Sequence, residues 1–286
     1  LSKQSKIKEV LMTSFSALFR QMFVQKRRYA HLVLLVQTFA VIFIFLMDLI
    51  TSNNFAKGYL VFGQGSHPRF WDVILALGIM TTAIGDVVFL GLLCWQNEKI
   101  NLSQTWQLIP VLSIKLWWIN IFTSLVECAY IFVIQVVLGI IVFVIDCLSY
   151  GYNIVKIFNQ TSGFNSWPDY AGFFELIFWL IGLVLIIFCF VSFANFLTRT
   201  ITDQLLGKNS TVIKIFVMAI LVIVGVTIAF RINDQITTMY INHMMKNRAY
   251  SGDTFPMITI EYFVGSLILG IVNSYLVQKF VEPKIR

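Results

Sequence analysis

The sequence predicts an all-α polytopic membrane protein with six transmembrane helices, an N-terminal amphipathic elbow helix and a short cytoplasmic helix. Two observations predict this fold class. Of the 286 residues, 58% are hydrophobic and only 12% are charged, whereas soluble proteins carry about 25% charged residues. The apolar residues also form runs of the length that a helix needs to cross a bilayer. So few charges could not cover the surface of a soluble enzyme, and such high hydrophobicity excludes a disordered chain.

Six apolar segments are long enough to span a membrane and together define a transmembrane domain over residues 31–286. Each segment is bounded by charges, glycine, proline or polar clusters. The third and fourth exceed the required length, so we expect them to tilt, bend or extend beyond the bilayer. The predicted spans are residues 31–51, 73–95, 116–146, 172–198, 211–230 and 259–280.

Residues 1–30 are predicted to form an amphipathic helix that lies along the membrane interface. Apolar side chains recur there at helical spacing, and most charged residues fall on the other side. We expect this helix to meet the first span at an elbow near Lys26–Arg28, and a frayed cytoplasmic tail is the alternative. The apolar stripe consists of Ile7, Leu11, Phe15, Leu18 and Met22.

The positions of the basic residues predict the orientation of the chain. With the N-terminus in the cytoplasm, most of the 21 Lys and Arg fall on the inner side, as the positive-inside rule requires. We therefore expect both termini to lie in the cytoplasm. We also expect the membrane that the chain spans to be a bacterial plasma membrane. The net charge of +7 does not indicate a nucleic-acid partner, because the cations lie at the edges of apolar runs.

The outer loop 231–258 has a pattern of its own. Ile232, Ile236, Tyr240 and Met244 recur every four residues, which predicts a short helix on or in the outer leaflet. Gly252 and Pro256 would end it before the last span.

No motif in the sequence supports catalysis or a bound cofactor. The pair Gly207-Lys208 lacks the upstream glycine of a phosphate-binding loop. The three histidines are scattered without metal-ligand spacing, and the four cysteines have no C-x-x-C spacing. We therefore expect no catalytic site, no metal and no cofactor within this chain.

Polar residues within the spans are costly in lipid and therefore informative. Asp86 lies near the middle of the second span, on a ridge with Gly78 and Thr82. In the third span, Asn120, Glu127 and Gln135 fall on one helical face with Ser124. We expect the faces that carry Asp86, Asn120, Glu127 and Gln135 to line a translocation path or a dimer seam. The alternative is that they only hold helices together by hydrogen bonds.

The segment between the second and third spans, residues 97–115, combines several local signals. Asn101 or Ser103 can cap a helix, Trp106, Leu108 and Ile109 give it an apolar side, and Pro110 stops it. A brief amphipathic helix at the cytoplasmic face suits a surface that receives force from a soluble partner. A plain interfacial turn is the alternative.

The same segment contains, in order, an acidic residue, a threonine, a leucine, a Pro-Val pair, a serine and a basic residue: Glu98, Thr105, Leu108, Pro110, Val111, Ser113 and Lys115. These residues resemble the coupling region of the permease subunits of ATP-binding-cassette exporters of the type-2 permease class. That family typically has an acidic residue, then Thr, then Leu-rich residues, then Pro-Val-Ser and a basic residue. The elbow helix, the six spans and the cytoplasmic termini also resemble the family's layout.

The resemblance implies partners and a mechanism. Two permeases, identical or related, would pair in the lipid bilayer and sit on two separate ATPase subunits, which hold the ATP and Mg. Residues 98–113 would receive the force of ATP-driven closure, with Trp106 and Leu108 inserted into a cleft of the ATPase. The coupling residues would be Glu98, Asn101, Thr105, Trp106, Leu108, Pro110 and Ser113.

The cargo and the alternatives follow from less specific features. Aromatic and aliphatic spans suit an amphipathic peptide, an antimicrobial or a lipid-like compound. The alternative function is a membrane sensor or assembly scaffold that binds a partner through its outer loops without transporting anything. An ion-coupled secondary transporter would predict inverted repeats, and the sequence contains no convincing internal repeat.

Overall fold

The structure of the chain is a computed structural model that describes residues 15–50, 70–109, 111–149, 151, 167–205, 211–246 and 255–280. All regular secondary structure in these residues is α-helical. Seven helices occur there: α1 (Phe15–Ile50), α2 (Phe70–Asn101), α3 (Gln104–Gln107), α4 (Ser113–Ser149), α5 (Trp167–Leu205), α6 (Thr211–Lys246) and α7 (Phe255–Phe280).

Every helix except α3 is long and apolar enough to cross a membrane. The apolar segments are Phe15–Met47, Val73–Asn101, Ser113–Ser149, Gly172–Thr202, Val212–Asn242 and Pro256–Lys279. The six predicted spans and the all-α polytopic fold class are therefore confirmed. Most of the helices are longer than predicted, because the polar residues at the ends of an apolar run can also adopt the helical conformation.

The predicted elbow at Lys26–Arg28 is wrong in one respect: α1 runs through these residues as one continuous helix. The physical reason is that α1 contains no glycine or proline, and Lys and Arg have high helix propensity. Leu18 and Met22, two members of the apolar stripe, are buried in the protein. The stripe residues Ile7 and Leu11 lie outside the described residues.

The predicted separate helix in the loop 231–258 is also wrong. Helix α6 continues without a break from Thr211 to Lys246, so Ile232, Ile236 and Tyr240 extend the fifth span. Their four-residue spacing is helical, and neither glycine nor proline follows Gly225 within α6. Pro256 lies in the first turn of α7, where a proline costs no helical hydrogen bond.

The predicted short helix between the second and third spans is confirmed as a single turn, α3. Asn101 is the last residue of α2, and Ser103 directly precedes α3, so Ser103 occupies the position of the N-terminal cap. Gln107 N donates a hydrogen bond to Ser103 O at 3.2 Å. The predicted stop residue, Pro110, lies outside the described residues.

The chain divides into two compact units. The first comprises the described residues of Leu1–Arg20, Cys94–Leu125 and Tyr170–Arg286, and the second those of Gln21–Leu93 and Val126–Asp169. In the first unit α5 and α7 pack closely, since Asn273 Nδ2 of α7 donates a hydrogen bond to Cys189 O of α5 at 2.8 Å. In the second unit polar side chains join α1, α2 and α4.

Candidate functional site

Four polar side chains of the second unit form a connected group that we call the mid-helix ring: Gln37, Thr82, Asp86 and Gln135. Gln37 Nε2 of α1 donates a hydrogen bond to Thr82 Oγ1 of α2 at 2.6 Å. Gln135 Nε2 of α4 donates to Gln37 Oε1 at 3.2 Å and to Asp86 Oδ1 at 2.9 Å. Thr82 and Asp86 are one turn apart on α2, so the ring closes through the helix itself.

The ring gives hydrogen-bond partners to polar groups that lipid could not satisfy. Asp86 lies close to the midpoint of α2, where a carboxylate exposed to hydrocarbon is costly. Gln135 is only 9% exposed, and its Nε2 is bonded while its Oε1 has no hydrogen-bond partner among the described residues. The structure brings Asp86 and Gln135 together, and their place at a translocation path or a dimer seam stays a prediction.

Glu127 occupies a different polar site of the second unit. Lys26 of α1 and Glu127 of α4 are both 0% exposed, and their opposite charges interact. Arg27 adds a second positive charge near Glu127, and its guanidinium lies 5.3 Å from the centre of the Tyr130 ring. His31 Nε2 lies 3.0 Å from Tyr130 Oη. This site ties the N-terminal half of α1 to α4.

Asn120 belongs to a third group of polar side chains, which lies in the first unit. We call this group the loop network; its members lie at the end of α2, in α3, and on the parts of α4 and α5 that contact the end of α2. Asn120 Nδ2 donates hydrogen bonds to Asn97 O at 3.0 Å and to Asn101 Oδ1 at 2.9 Å. Ser124 Oγ donates to Asn97 Oδ1 at 2.7 Å. The loop network comprises Asn97, Glu98, Asn101, Gln107, Asn120, Ser124, Ser192 and Asn195.

Helix α5 joins the loop network through Glu98. The carboxylate of Glu98 accepts a hydrogen bond from Ser192 Oγ at 2.7 Å and another from Asn195 Nδ2. Both donors come from one face of α5, since they are three residues apart. Glu98 therefore holds the end of α2 against α5, and its carboxylate is engaged inside the protein.

The loop itself is held by Gln107. Its Nε2 donates a hydrogen bond to Asn101 O at 2.9 Å, which fixes α3 to the end of α2. Leu102 N also bonds to Glu98 O at 3.1 Å. The short helix is therefore braced to α2, and α2 is braced to α4 and α5.

The outward surface of the same loop is apolar and unpacked. Leu108 is 83% exposed and Leu112 is 75% exposed, and Thr105 and Ser113 are exposed as well. Trp106 is half-buried. The predicted coupling residues thus divide in two: Glu98 and Asn101 bond within the loop network, whereas Thr105, Leu108 and Ser113 face outward.

Several of these residues escaped sequence reasoning. Gln37, Lys26, Asn97, Ser192 and Asn195 were not predicted as site residues. One signal could have found part of the set: Ser192, Asn195 and Arg199 recur at helical spacing within an otherwise apolar span. A single glutamine in an apolar run, such as Gln37, is a similar signal.

The fold and these sites define an α-helical, multi-pass membrane protein with polar groups buried between its spans. Comparisons with protein-family models, with curated proteins and with solved structures give no significant match. The function is therefore inferred from the residues and their geometry.

Proposed function

We propose that the chain is the permease subunit of an ATP-driven exporter of the ATP-binding-cassette type-2 class, and that the loop carrying α3 docks on a separate ATPase subunit. One observation carries this proposal: the loop exposes Leu108 and Leu112 while buried hydrogen bonds brace it from behind. An apolar surface of this kind costs free energy in water unless a partner covers it.

The bracing gives the loop a way to transmit force. A push on α3 would pass through Gln107 to Asn101 at the end of α2. Asn120 would carry it to α4, and Glu98 would carry it to α5. In this mechanism Glu98 and Asn101 position the loop, and Trp106, Leu108 and Leu112 contact the ATPase.

The proposal also covers the orientation of the chain, its partners and its cargo. The loop and both termini face the cytoplasm of a bacterial cell, ATP and Mg reside in the ATPase, and a second identical or related permease completes the path. The cargo is an amphipathic peptide, an antimicrobial or a lipid-like compound. The runner-up function, a sensor or scaffold that acts through outer loops, gains no observation, because residues 51–69 and 152–166 lie outside the described residues.

The proposal is tested by a photo-reactive amino acid placed at Leu108 in cells that make the chain at its natural level. We expect a cross-link to a protein that carries a phosphate-binding loop, and we expect ATP with vanadate to change its yield. The same amino acid at Met239, an exposed position of α6, should give no such product. The exporter proposal fails if the native complex, isolated in mild detergent, contains no ATPase.

A further inference from the structure

Among the described residues, the carboxyl group of Asp86 has no cationic hydrogen-bond partner. Its hydrogen bond comes from a neutral amide, Gln135 Nε2, and no Lys, Arg or His among the described residues bonds to it. Glu127, the acidic residue of the neighbouring site, has Lys26 and Arg27 to balance its charge. An ionised carboxylate near the centre of a spanning helix is stabilised by a nearby cation.

Asp86 also lies at the edge of the packed side of α2 and not deep within it. Phe89 and Leu93, on the packed side, are buried. Because an α-helix turns about 100° per residue, Ile79 and Val87 flank Asp86 on the other side, and both are exposed. The acid therefore borders an apolar strip on the outer surface of the protein, and Asp86 is itself only partly buried.

The other atoms around the carboxylate favour a positive group. Gln37 Oε1 and Thr82 Oγ1 are oxygens that accept hydrogen bonds within the ring, and both have a further lone pair to offer. Gln135 Nε2 donates hydrogen bonds to both Gln37 Oε1 and Asp86 Oδ1. The mid-helix ring thus presents oxygen atoms and a carboxylate, which attract a cation and repel an anion.

We propose that Asp86 binds a cationic group of the transported molecule, while the strip beside it holds the molecule's apolar part. This inference names the chemical class of the cargo and rests on the proposed transport function. A cationic amphipathic compound fits both features, because a fixed carboxylate offsets part of the cost of removing water from a cation. Gln37 and Gln135 are positioning residues for Asp86.

The test uses two probes of almost the same shape and opposite charge, tetraphenylphosphonium and tetraphenylborate. The chain is purified in mild detergent and dialysed to equilibrium against each labelled probe, with protein-free micelles as the reference. We expect the phosphonium to bind to the chain. Replacing Asp86→Asn should weaken its affinity by about tenfold or more, because a charge–charge attraction at low effective dielectric is lost.

Two matched variants show that the effect belongs to this carboxylate. Asp86→Glu keeps the charge and should keep the binding, whereas Asp234→Asn makes the same chemical change at an exposed position of α6 and should also bind the phosphonium normally. Binding of tetraphenylborate should not fall in Asp86→Asn. The cation site is disproved if the phosphonium fails to bind, or if Asp86→Asn binds it as tightly as the unaltered chain.

The outcome is independent of the ATPase, because the binding measurement contains only this chain. A missing cross-link at Leu108 together with phosphonium binding that depends on Asp86 would remove the exporter proposal and leave the cation site. A cross-link to an ATPase together with unchanged binding in Asp86→Asn would keep the exporter and overturn the cationic cargo.

Discussion

The buried side chains of Lys26 in α1 and Glu127 in α4 carry opposite charges that interact, while neither carboxylate oxygen of Glu127 has a hydrogen-bond partner among the described residues. The pair makes the N-terminal half of α1 part of the helix packing. Phe23 reinforces it, because its ring lies 6.2 Å from that of Tyr130, also on α4. The stretch before the first predicted span is therefore held by protein contacts as well as by its amphipathic pattern.

The first prediction concerns this pair. Replacing Glu127→Gln removes the negative charge that interacts with the buried ammonium of Lys26. Losing an opposite charge near a buried cation destabilises the folded state. We expect a clearly lower midpoint of thermal unfolding in detergent, measured by intrinsic fluorescence, for Glu127→Gln than for the unaltered chain.

A double variant provides the control for Glu127→Gln. Lys26→Met with Glu127→Leu replaces both charges by apolar side chains of similar size, so it should recover most of the lost stability. Arg28→Gln, at an exposed neighbouring position, should change little. If the Lys26 and Glu127 substitutions prove simply additive, the two side chains do not act as a pair.

The second prediction concerns the loop network. Asn120→Ala removes the donor that bonds to Asn97 O and Asn101 Oδ1, so buried acceptors lose their partner. We expect a loss of about 1–3 kcal/mol in the free energy of unfolding. Amide hydrogen exchange of residues 102–109 should rise, because α3 is held through Asn101 and Gln107.

Ser149→Ala is the matched comparison for Asn120. The Ser149 hydroxyl bonds only to Ile145 O of its own helix and is exposed, so its loss should leave both stability and exchange nearly unchanged. Unaltered exchange of residues 102–109 in Asn120→Ala would mean that the loop network does not hold α3.

Much of the fold could be predicted from the sequence because lipid imposes a simple rule. A spanning helix needs a long apolar run, and α2, α4 and α7 begin and end close to such runs. The boundaries that were wrong, at Lys26–Arg28 and after residue 230, depended on charges that were expected to interrupt a helix. Charges alone do not end a helix: α1 contains neither glycine nor proline, and no glycine or proline follows Gly225 within α6, so both helices continue.

The candidate sites were less accessible to prediction. Helical periodicity gives the angle of a residue around its own helix, so Asn120, Glu127 and Gln135 could be assigned to one face of α4. Periodicity does not say which neighbour lies at each height along that face. The structure gives these residues three different partner sets: the carbonyl of Asn97, the charge of Lys26 and the carboxylate of Asp86.

The third prediction tests the contact between α5 and α7. A Cβ atom at Gly182 would lie 3.1 Å from Tyr262 Cβ, which is fixed to the backbone and cannot rotate away. A larger side chain must therefore push the helices apart, and overpacking of this kind costs about 1–3 kcal/mol. We expect Gly182→Leu to lower the midpoint of thermal unfolding.

Gly91→Leu separates this steric effect from helix propensity. A Cβ at Gly91 meets no atom within 4 Å, while the change from glycine to leucine favours a helix equally at both positions. Gly91→Leu should be neutral or slightly stabilising. An equal response of the two variants would show that α5 and α7 do not pack closely at Gly182.

The last prediction separates docking from folding at the exposed loop. Leu108 makes little packing contact because 83% of its surface is exposed, so Leu108→Ala should leave thermal stability within about 0.5 kcal/mol. If the loop seats in an ATPase cleft, the same truncation removes an apolar anchor from the interface, and such anchors are worth about 1–2 kcal/mol or more. Co-purification of the ATPase and cargo-stimulated ATP hydrolysis should therefore fall in Leu108→Ala, and fall further when Trp106→Ala is added.

Ile215→Ala removes an equally apolar, exposed side chain from α6 and should affect neither. Intact association and hydrolysis in the double variant would end the coupling assignment. Thermal stability is measured on the same preparations, so that a loss of association caused by misfolding is recognised.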